Sequence, residues 1–313
     1  MVPPEIALTI SVFAGALIVD RLIGDPQSPY HPVALLGRFI GWWGKPEHFT
    51  ENTQRIAGVI CWIITAAVFA VPFLLFTFVS PWYLYLLIAP FLLKSCFAWR
   101  SLEEHTFAVT AALKGGIDPG REKVQMLVSR DTSLLDREHI LSAGYESMTE
   151  NLTDSIISPL AFFLAFGLIG AAVYRAANTM DAMLGYRDER VRIGWCAARM
   201  DDIFNFIPAR ITVALLLLYF LVRGRFSPAW TIMRRDGRKR PGFNGGIVMA
   251  AMAGGTGVRF EKPGAYVIGN GQISLDAGGQ DIVKATRAVI LIFAIFACCT
   301  LFLLGSLINT TGI

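Results

Sequence analysis

The sequence predicts a mainly α, polytopic integral membrane protein with about four to six membrane helices and cytoplasmic helical and loop insertions. Its 313 residues are 54% hydrophobic and only 17% charged, and the mean hydropathy is +0.52, far from the balance of a water-soluble domain. Four segments, Ile6 to Val19, Ile56 to Val79, Trp82 to Trp99 and Ala288 to Ile308, are apolar over lengths that, with their flanks, approach the roughly 20 residues of a spanning helix. No repeat of fixed period and no series of strands competes with this pattern.

The first apolar run follows Met1 to Glu5 directly, without a basic leader or a small-residue cleavage site, so it is expected to be retained as a span. A proline-stiffened loop with Asp20, Asp25 and His31 comes next. Only Ser80 and Pro81 separate the second and third segments, a tight turn that makes Ile56 to Trp99 a helical hairpin. Lys94 is almost the only charge inside these segments, which weighs against a transporter with polar, broken mid-membrane helices.

Residues 101–147 read as a soluble helical insert, with a turn at the run Gly115 to Gly120. Two further apolar stretches, Ile156 to Val173 and Ile211 to Val222, are small-residue-rich and short respectively. The basic run from Arg223 to Arg240 puts the segment after Val222 on the cytoplasmic side, as Arg21, Arg38, Lys45 and Arg55 do for the first loop. The two stretches must then both cross or both stay on that side, and the second reading is favoured, with both half-embedded or packed against the true spans. From about 236 to 285 the chain is rich in glycine and reads as loop suited to close approach by a ligand.

The net charge of +4 is too small, and the arginines too scattered, for a nucleic-acid partner. The five cysteines form no C-x-x-C pair and no Cys/His cluster of zinc spacing, so they are expected as free thiols. No Walker loop is present, and no G-x-G-x-x-G follows a strand, so any nucleotide site is not a standard one.

Polar residues concentrate between Glu146 and Arg210. Glu146, Glu150 and Asp154, at i, i+4 and i+8, share one helix face with Asn151 at its edge; that face suits Mg²⁺, or is simply solvated. Asn178 and Asp181 precede Gly185 and Tyr186, so they project together from a helix end or act as cap and turn residues. In the run Arg199 to Arg210, Asp201 and Asn205 stand at i, i+4, and Pro208 should end or kink the helix before Arg210. Adjacent Asp201 and Asp202 between Arg199 and Arg210 offer both a metal-binding and a phosphate-binding surface; an Arg199 to Asp202 salt bridge is the plainer alternative. Asp25 and His31, each before a proline, are turn formers or functional groups; His48, His105 and His139 have no partner at ligand spacing.

Four of these motifs, in this order, carry a resemblance. They are D-R-L-I-G-D-P with H-P-V from Asp20, E-N-L-T-D-S from Glu150, N-T-M-D-A-M-L-G-Y from Asn178, and R-M-D-D-I-F-N-F-I-P-A-R from Arg199. Together they are similar to the CbiB/CobD family of cobalamin biosynthesis, over nearly the whole chain. The resemblance implies one membrane-embedded domain over residues 1–313 in the cell membrane, with its active site on the cytoplasmic side. The implied activity is adenosylcobinamide-phosphate synthase: ATP-dependent amide ligation of (R)-1-aminopropan-2-ol or its O-phosphate to a propionate carboxylate of adenosylcobyric acid. Implied partners are these substrates, the lipid bilayer and other late cobalamin-assembly membrane enzymes.

Such a ligase makes an acyl phosphate that the amine attacks, so it needs Mg²⁺, cations for phosphate and a base. Carried over by motif, Glu150, Asp154, Asp181, Asp201 and Asp202 are the expected metal ligands, with Glu150 and Asp202 also catalytic. Arg199 and Arg210 are expected phosphate clamps, Asn151, Asn178 and Asn205 polar substrate contacts, and Asp25 or His31 the base. One departure concerns the segment after Asp236, Gly237 and Arg238: R-P-G-F-N-G-G stands where relatives often have S-P-N-A-G, which keeps Asn244 as a contact but leaves the loop's part in choosing the amino alcohol open. The alternative is a non-catalytic signalling protein or corrinoid carrier of the same superfamily, against which retention of every acidic motif argues.

Overall fold

A computed structural model describes residues 3–26 and 28–311. In chain order the helices are α1 (Pro4–Ile23), α2 (Pro32–Trp43), α3 (Gln54–Val79), α4 (Trp82–Lys94), α5 (Trp99–Ala112), α6 (Ile117–Gln125) and α7 (Arg137–Leu152). A π-helical turn (Thr153–Ile157) leads into α8 (Ser158–Leu184), α9 (Trp195–Phe204), α10 (Phe206–Val222), α11 (Phe226–Asp236) and α12 (Gly245–Thr256). Antiparallel strands β1 (Arg259–Lys262) and β2 (Tyr266–Gly269) precede the last helix, α13 (Leu275–Thr311). Among the described residues, five helical stretches are long and apolar enough to cross a membrane, or six counting one bent pair, so the protein is a mainly α polytopic membrane protein.

The chain divides into two compact units. The first holds α1 to α4, α8, α9 and α13 from Ala294 onward. The hairpin predicted across Ser80 and Pro81 is formed by α3 and α4. In this unit α1 packs on α4 where Gly15 brings Pro90 close: a Cβ there would lie 3.1 Å from the proline ring. A core of Leu36, Ile40 and Trp43 from α2 meets Ala66 of α3, Ala176, Met180 and Leu184 of α8, and Ala197 of α9. Within it the indole N–H of Trp43 donates to Thr65 Oγ1 at 3.0 Å, so the one polar atom of that buried ring is satisfied.

The two stretches left open by the sequence are both helical. Ile156 to Val173 falls inside the helical stretch Arg137–Leu184, which has the length and composition of a span. Two helices meet at Gly167, at φ 66° and ψ −160°, and the chain folds back there, so that the Phe162 and Tyr174 rings lie 5.1 Å apart between centroids. Ile211 to Val222 lies on α10, bent by 42° from α9, a broken span or re-entrant pair. Pro208 is the cause: it has no N–H for the carbonyl of Phe204, and its ring crowds that carbonyl.

The second unit holds α5 to α7, α10 to α12, the β-hairpin and α13 up to Phe293. Two expectations change here. The Gly115 to Gly120 run is non-helical only at Gly115 and Gly116; α6 begins at Ile117, with Pro119 in the first turn, where no N–H is needed. Most of the glycine-rich region is also not loop, since it contains α12, the hairpin and the start of α13. Its glycines serve helix packing: a Cβ on Gly246 would lie 2.4 Å from the Gly237 carbonyl, and one on Gly254 would lie 2.5 Å from the Pro228 carbonyl, so α11 and α12 nearly touch backbone to backbone. Phe260 and Ile268 on the paired strands are fully buried.

Gly254→Ala should therefore destabilise the protein, although alanine is the better helix former. Overpacking against immobile backbone costs about 1–3 kcal/mol, more than the about 1 kcal/mol that alanine gains over glycine in a helix. Thermal unfolding in detergent is expected at a lower temperature than for the unsubstituted protein; a higher one would show that α11 and α12 do not approach this closely.

Candidate functional site

The polar motifs gather into separate clusters. In the first unit, the loop between α1 and α2 brings Asp25 and His31 to the end of α4. Lys94 Nζ lies 2.5 Å from Asp25 Oδ1 and 3.2 Å from Asp20 Oδ1, and it also donates to the Phe97 carbonyl at 3.4 Å. Asp20 is fully buried and Lys94 nearly so, which such charges tolerate only as a pair. His31 caps α2: its Nδ1 accepts from the Val33 N–H at 3.3 Å. In the neutral ring the proton then sits on Nε2, 3.9 Å from Asp25 Oδ1. Burial holds the imidazole below its ordinary pKa; Asp25 opposes this, and Lys94 and Arg175 reinforce it.

The second cluster of this unit is built by α8 and α9. Asp201 is held by two amides: Asn178 Nδ2 donates to its Oδ1 at 3.2 Å and Asn205 Nδ2 to its Oδ2 at 2.9 Å. Asn205 is itself fixed, since its Oδ1 accepts from Ser158 Oγ at 2.6 Å and from Tyr174 OH at 2.8 Å. The bend between α9 and α10 falls at Asn205, so the kink that Pro208 imposes also sets this amide in place. Asp181 is half-buried on α8 and folds over Gly185, where a Cβ would lie 2.0 Å from its Oδ1. Asp202 is half-buried beside Asp201, and Arg199 is exposed on α9.

In the second unit, Glu150 pairs with Arg240, whose guanidinium also feels Tyr266 and Asp154. Burial acts to lower the pKa of Arg240, but Glu150, Tyr266 and Asp154 together outweigh it and raise the pKa above its ordinary value. Glu146, buried one turn earlier, accepts from Ser142 Oγ at 2.5 Å and from Tyr266 OH at 2.7 Å, with Arg130 at 3.8 Å. Burial, with Glu146 beside it, raises the pKa of the Tyr266 phenol, so it stays a donor. Asp154 sits in the π-helical turn, which interrupts the regular spacing after Glu150. Asn151 is occupied by its own helix, donating to the Ser147 carbonyl at 2.9 Å and accepting from Ser155 Oγ at 2.6 Å. Arg210 donates to Asn244 Oδ1 at 2.6 Å and to the Phe243 carbonyl at 3.2 Å, which joins two of the predicted contacts directly.

The expected ligand set is thus shared out: Glu150 and Asp154 belong to the second unit, and Asp181, Asp201 and Asp202 to the first. Among the described residues no three His, Cys, Asp or Glu side chains converge as a metal site. The donor set fits an ion that takes one or two carboxylates and completes its shell with water and phosphate, as Mg²⁺ does, not a closed protein cage. Sequence reading passed over Asp20, Lys94, Tyr174, Ser158, Tyr266 and Arg240 as site residues. The lone lysine at the end of an apolar segment was a signal for the first two. Arg240 was hidden in a basic run that also encodes topology.

A family model described as CobD/Cbib protein matches residues 13–292. A probable cobalamin biosynthesis protein CobD of Methanothermobacter thermautotrophicus is 41% identical over 292 residues, covering 92% of this chain and 96% of that protein. A probable cobalamin biosynthesis protein CobD of Pyrococcus abyssi is 45% identical over 258 residues, covering 80% and 82%. The cobalamin biosynthesis protein CobD of Dehalococcoides mccartyi is 37% identical over 269 residues, covering 83% and 86%. No solved structure matches the chain. The match over nearly the whole length, through every motif that builds the clusters above, makes this chain a member of the CobD/CbiB family of cobalamin biosynthesis.

Proposed function

We propose that the protein is an adenosylcobinamide-phosphate synthase, acting from the cytoplasmic side of the cell membrane. It would join (R)-1-aminopropan-2-ol or its O-phosphate to a propionate carboxylate of adenosylcobyric acid, with ATP consumed in each turnover. The observation that carries this reading is the Asp201 carboxylate aimed by Asn178 and Asn205, built wholly from motif residues of the family.

In the proposed reaction the propionate oxygen attacks the γ-phosphorus of ATP, the bond to ADP breaks, and an acyl phosphate forms. The amine nitrogen then attacks the carbonyl carbon, its proton leaves to a base, and inorganic phosphate departs. Mg²⁺, when bound, would offset the charge developing on the transferred phosphoryl group. Asp181, Asp201 and Asp202 are the residues of the first unit that would hold it, and Glu150 and Asp154 are a separate candidate set within the second. Arg199 is exposed and can meet phosphate without losing a partner; Arg210 would have to share its hydrogen bonds with Asn244. Asn151 and Asn244 are assigned to substrate contact alongside Asn178 and Asn205. Asp25 or His31 would take the amine proton. Lys94 Nζ lies 2.5 Å from Asp25 Oδ1, and His31 can accept a proton only by releasing the Val33 N–H or by exchanging its tautomer.

Detergent-solubilised protein given adenosylcobyric acid, aminopropanol phosphate, Mg²⁺ and ATP is expected to form the amide, seen by mass spectrometry, only when ATP is present. Corrinoid binding by folded protein with no product would instead identify a carrier. Asp201→Asn and Asp202→Asn are each expected to lower turnover by roughly a hundredfold or more, the scale of removing a group that stabilises transition-state charge. Both should keep the unfolding temperature within a few degrees, and near-normal turnover in both would remove these aspartates from the mechanism.

The pH dependence separates the two bases. A lowered His31 pKa means the folded protein prefers the neutral ring, so a step using that ring is intact above the ordinary value of 6.5 and is lost as pH falls through the lower folded value. An acid limb of kcat/KM below pH 6.5 that disappears in His31→Asn would assign the base to His31. The same limb persisting in that variant would exclude His31 as the base.

A further inference from the structure

Phe226, Trp230 and Arg234 stand at i, i+4 and i+8 on α11 and form one exposed column. The two rings stack with centroids 6.1 Å apart and planes 12° from parallel, and the Arg234 guanidinium lies 5.9 Å from the Trp230 ring. The opposite face, Ala229, Ile232 and Asp236, is buried. An outer face of aromatic rings and arginine over a buried inner face is the composition of a helix lying in a membrane interface.

What precedes α11 fixes the depth. The end of α10 is apolar and outward-facing, with Leu221 57% and Val222 81% exposed. Arg223 and Arg225 follow at once, and with Tyr219, Thr256 and Asp281 they line a cavity of about 60 Å³. Asp281 is already engaged by Lys284 at 3.1 Å. Farther on, Arg235 and Lys239 serve the buried Asp236 and Arg240 serves Glu150, whereas Arg223, Arg225, Arg234 and Arg238 all face outward. The sequence of an apolar helix end, two arginines at a small cavity and an aromatic column matches the layers of a bilayer from acyl chain to headgroup.

We propose that this face binds the headgroup of an anionic phospholipid. The lipid phosphate sits at Arg223 and Arg225, Phe226 and Trp230 lie at the boundary of headgroup and acyl chain, and Arg234 reaches back into the headgroup layer. Zwitterionic lipids carry the same phosphate with a compensating cation, so the site discriminates by net charge.

The test uses full-length protein in nanodiscs of mixed phosphatidylcholine and phosphatidylglycerol, with the lipids that remain bound on release counted by native mass spectrometry. Phosphatidylglycerol is expected to be enriched over its bulk share, and the enrichment to fall roughly fivefold for each arginine removed in Arg223→Gln and the Arg223→Gln, Arg225→Gln double variant. Equal retention of both lipids, or enrichment unchanged in the double variant, overturns the proposal. Displacement of the lipid by inorganic phosphate would also overturn it, since the cavity would then be a site for the free anion. Should the double variant fail to fold, a salt titration of the unsubstituted protein decides: enrichment that fades as salt rises supports the site, and salt-independent enrichment rules it out.

Discussion

A charge placed among apolar helices is costly unless a partner meets it, and the way this protein meets that constraint organises its polar architecture. Asp20 at the end of α1 and Lys94 at the end of α4 are both buried, and they pair at 3.2 Å. That pairing pins two helices that also pack together where Gly15 meets Pro90. It also draws in the loop that carries Asp25 and His31, because Lys94 reaches Asp25 at 2.5 Å. A structural ion pair and a candidate chemical group thus share one lysine.

The same constraint acts through amides around Asn205. A buried asparagine has four hydrogen-bonding positions, and here Ser158, Tyr174 and Asp201 fill three of them. The helix bend demanded by Pro208 opens at this residue. A sequence feature that looks like a helix breaker therefore does positional work: it turns α10 away while leaving Asn205 facing Asp201.

Much of this was legible from residue order alone. The α3 and α4 hairpin, the kink near Pro208 and the helix end after Asp181 all follow from local rules about proline, glycine and apolar run length. The grouping of Asn178, Asp201 and Asn205 was visible only as recurring polar motifs, because the pairing of α8 with α9 is tertiary. The glycine-rich region misled for a physical reason. Glycine permits both a close ligand and a close helix, and only the positions of Gly237 and Pro228 against Gly246 and Gly254 show that the second use applies. The β-hairpin was hidden in the same stretch, although alternating Phe260 and Ile268 around Pro263 and Gly264 is a strand pattern.

The carboxylates assigned to metal or phosphate chemistry differ in what already holds them, and this ranks them. Glu150 is paired with a guanidinium, so an incoming cation must compete with Arg240 and leave that arginine buried without its acid. Glu146 is more committed still, with a hydroxyl, a phenol and Arg130 around it. Asp201 accepts from the amides of Asn178 and Asn205, which orient both of its oxygens. An ion that needs one or two carboxylates and brings its own phosphate oxygens gains most where amide dipoles already orient the carboxylate oxygens. On that electrostatic ground the proposed chemistry centres on the α8 and α9 cluster, and the acidic face of α7 serves first to place Arg240.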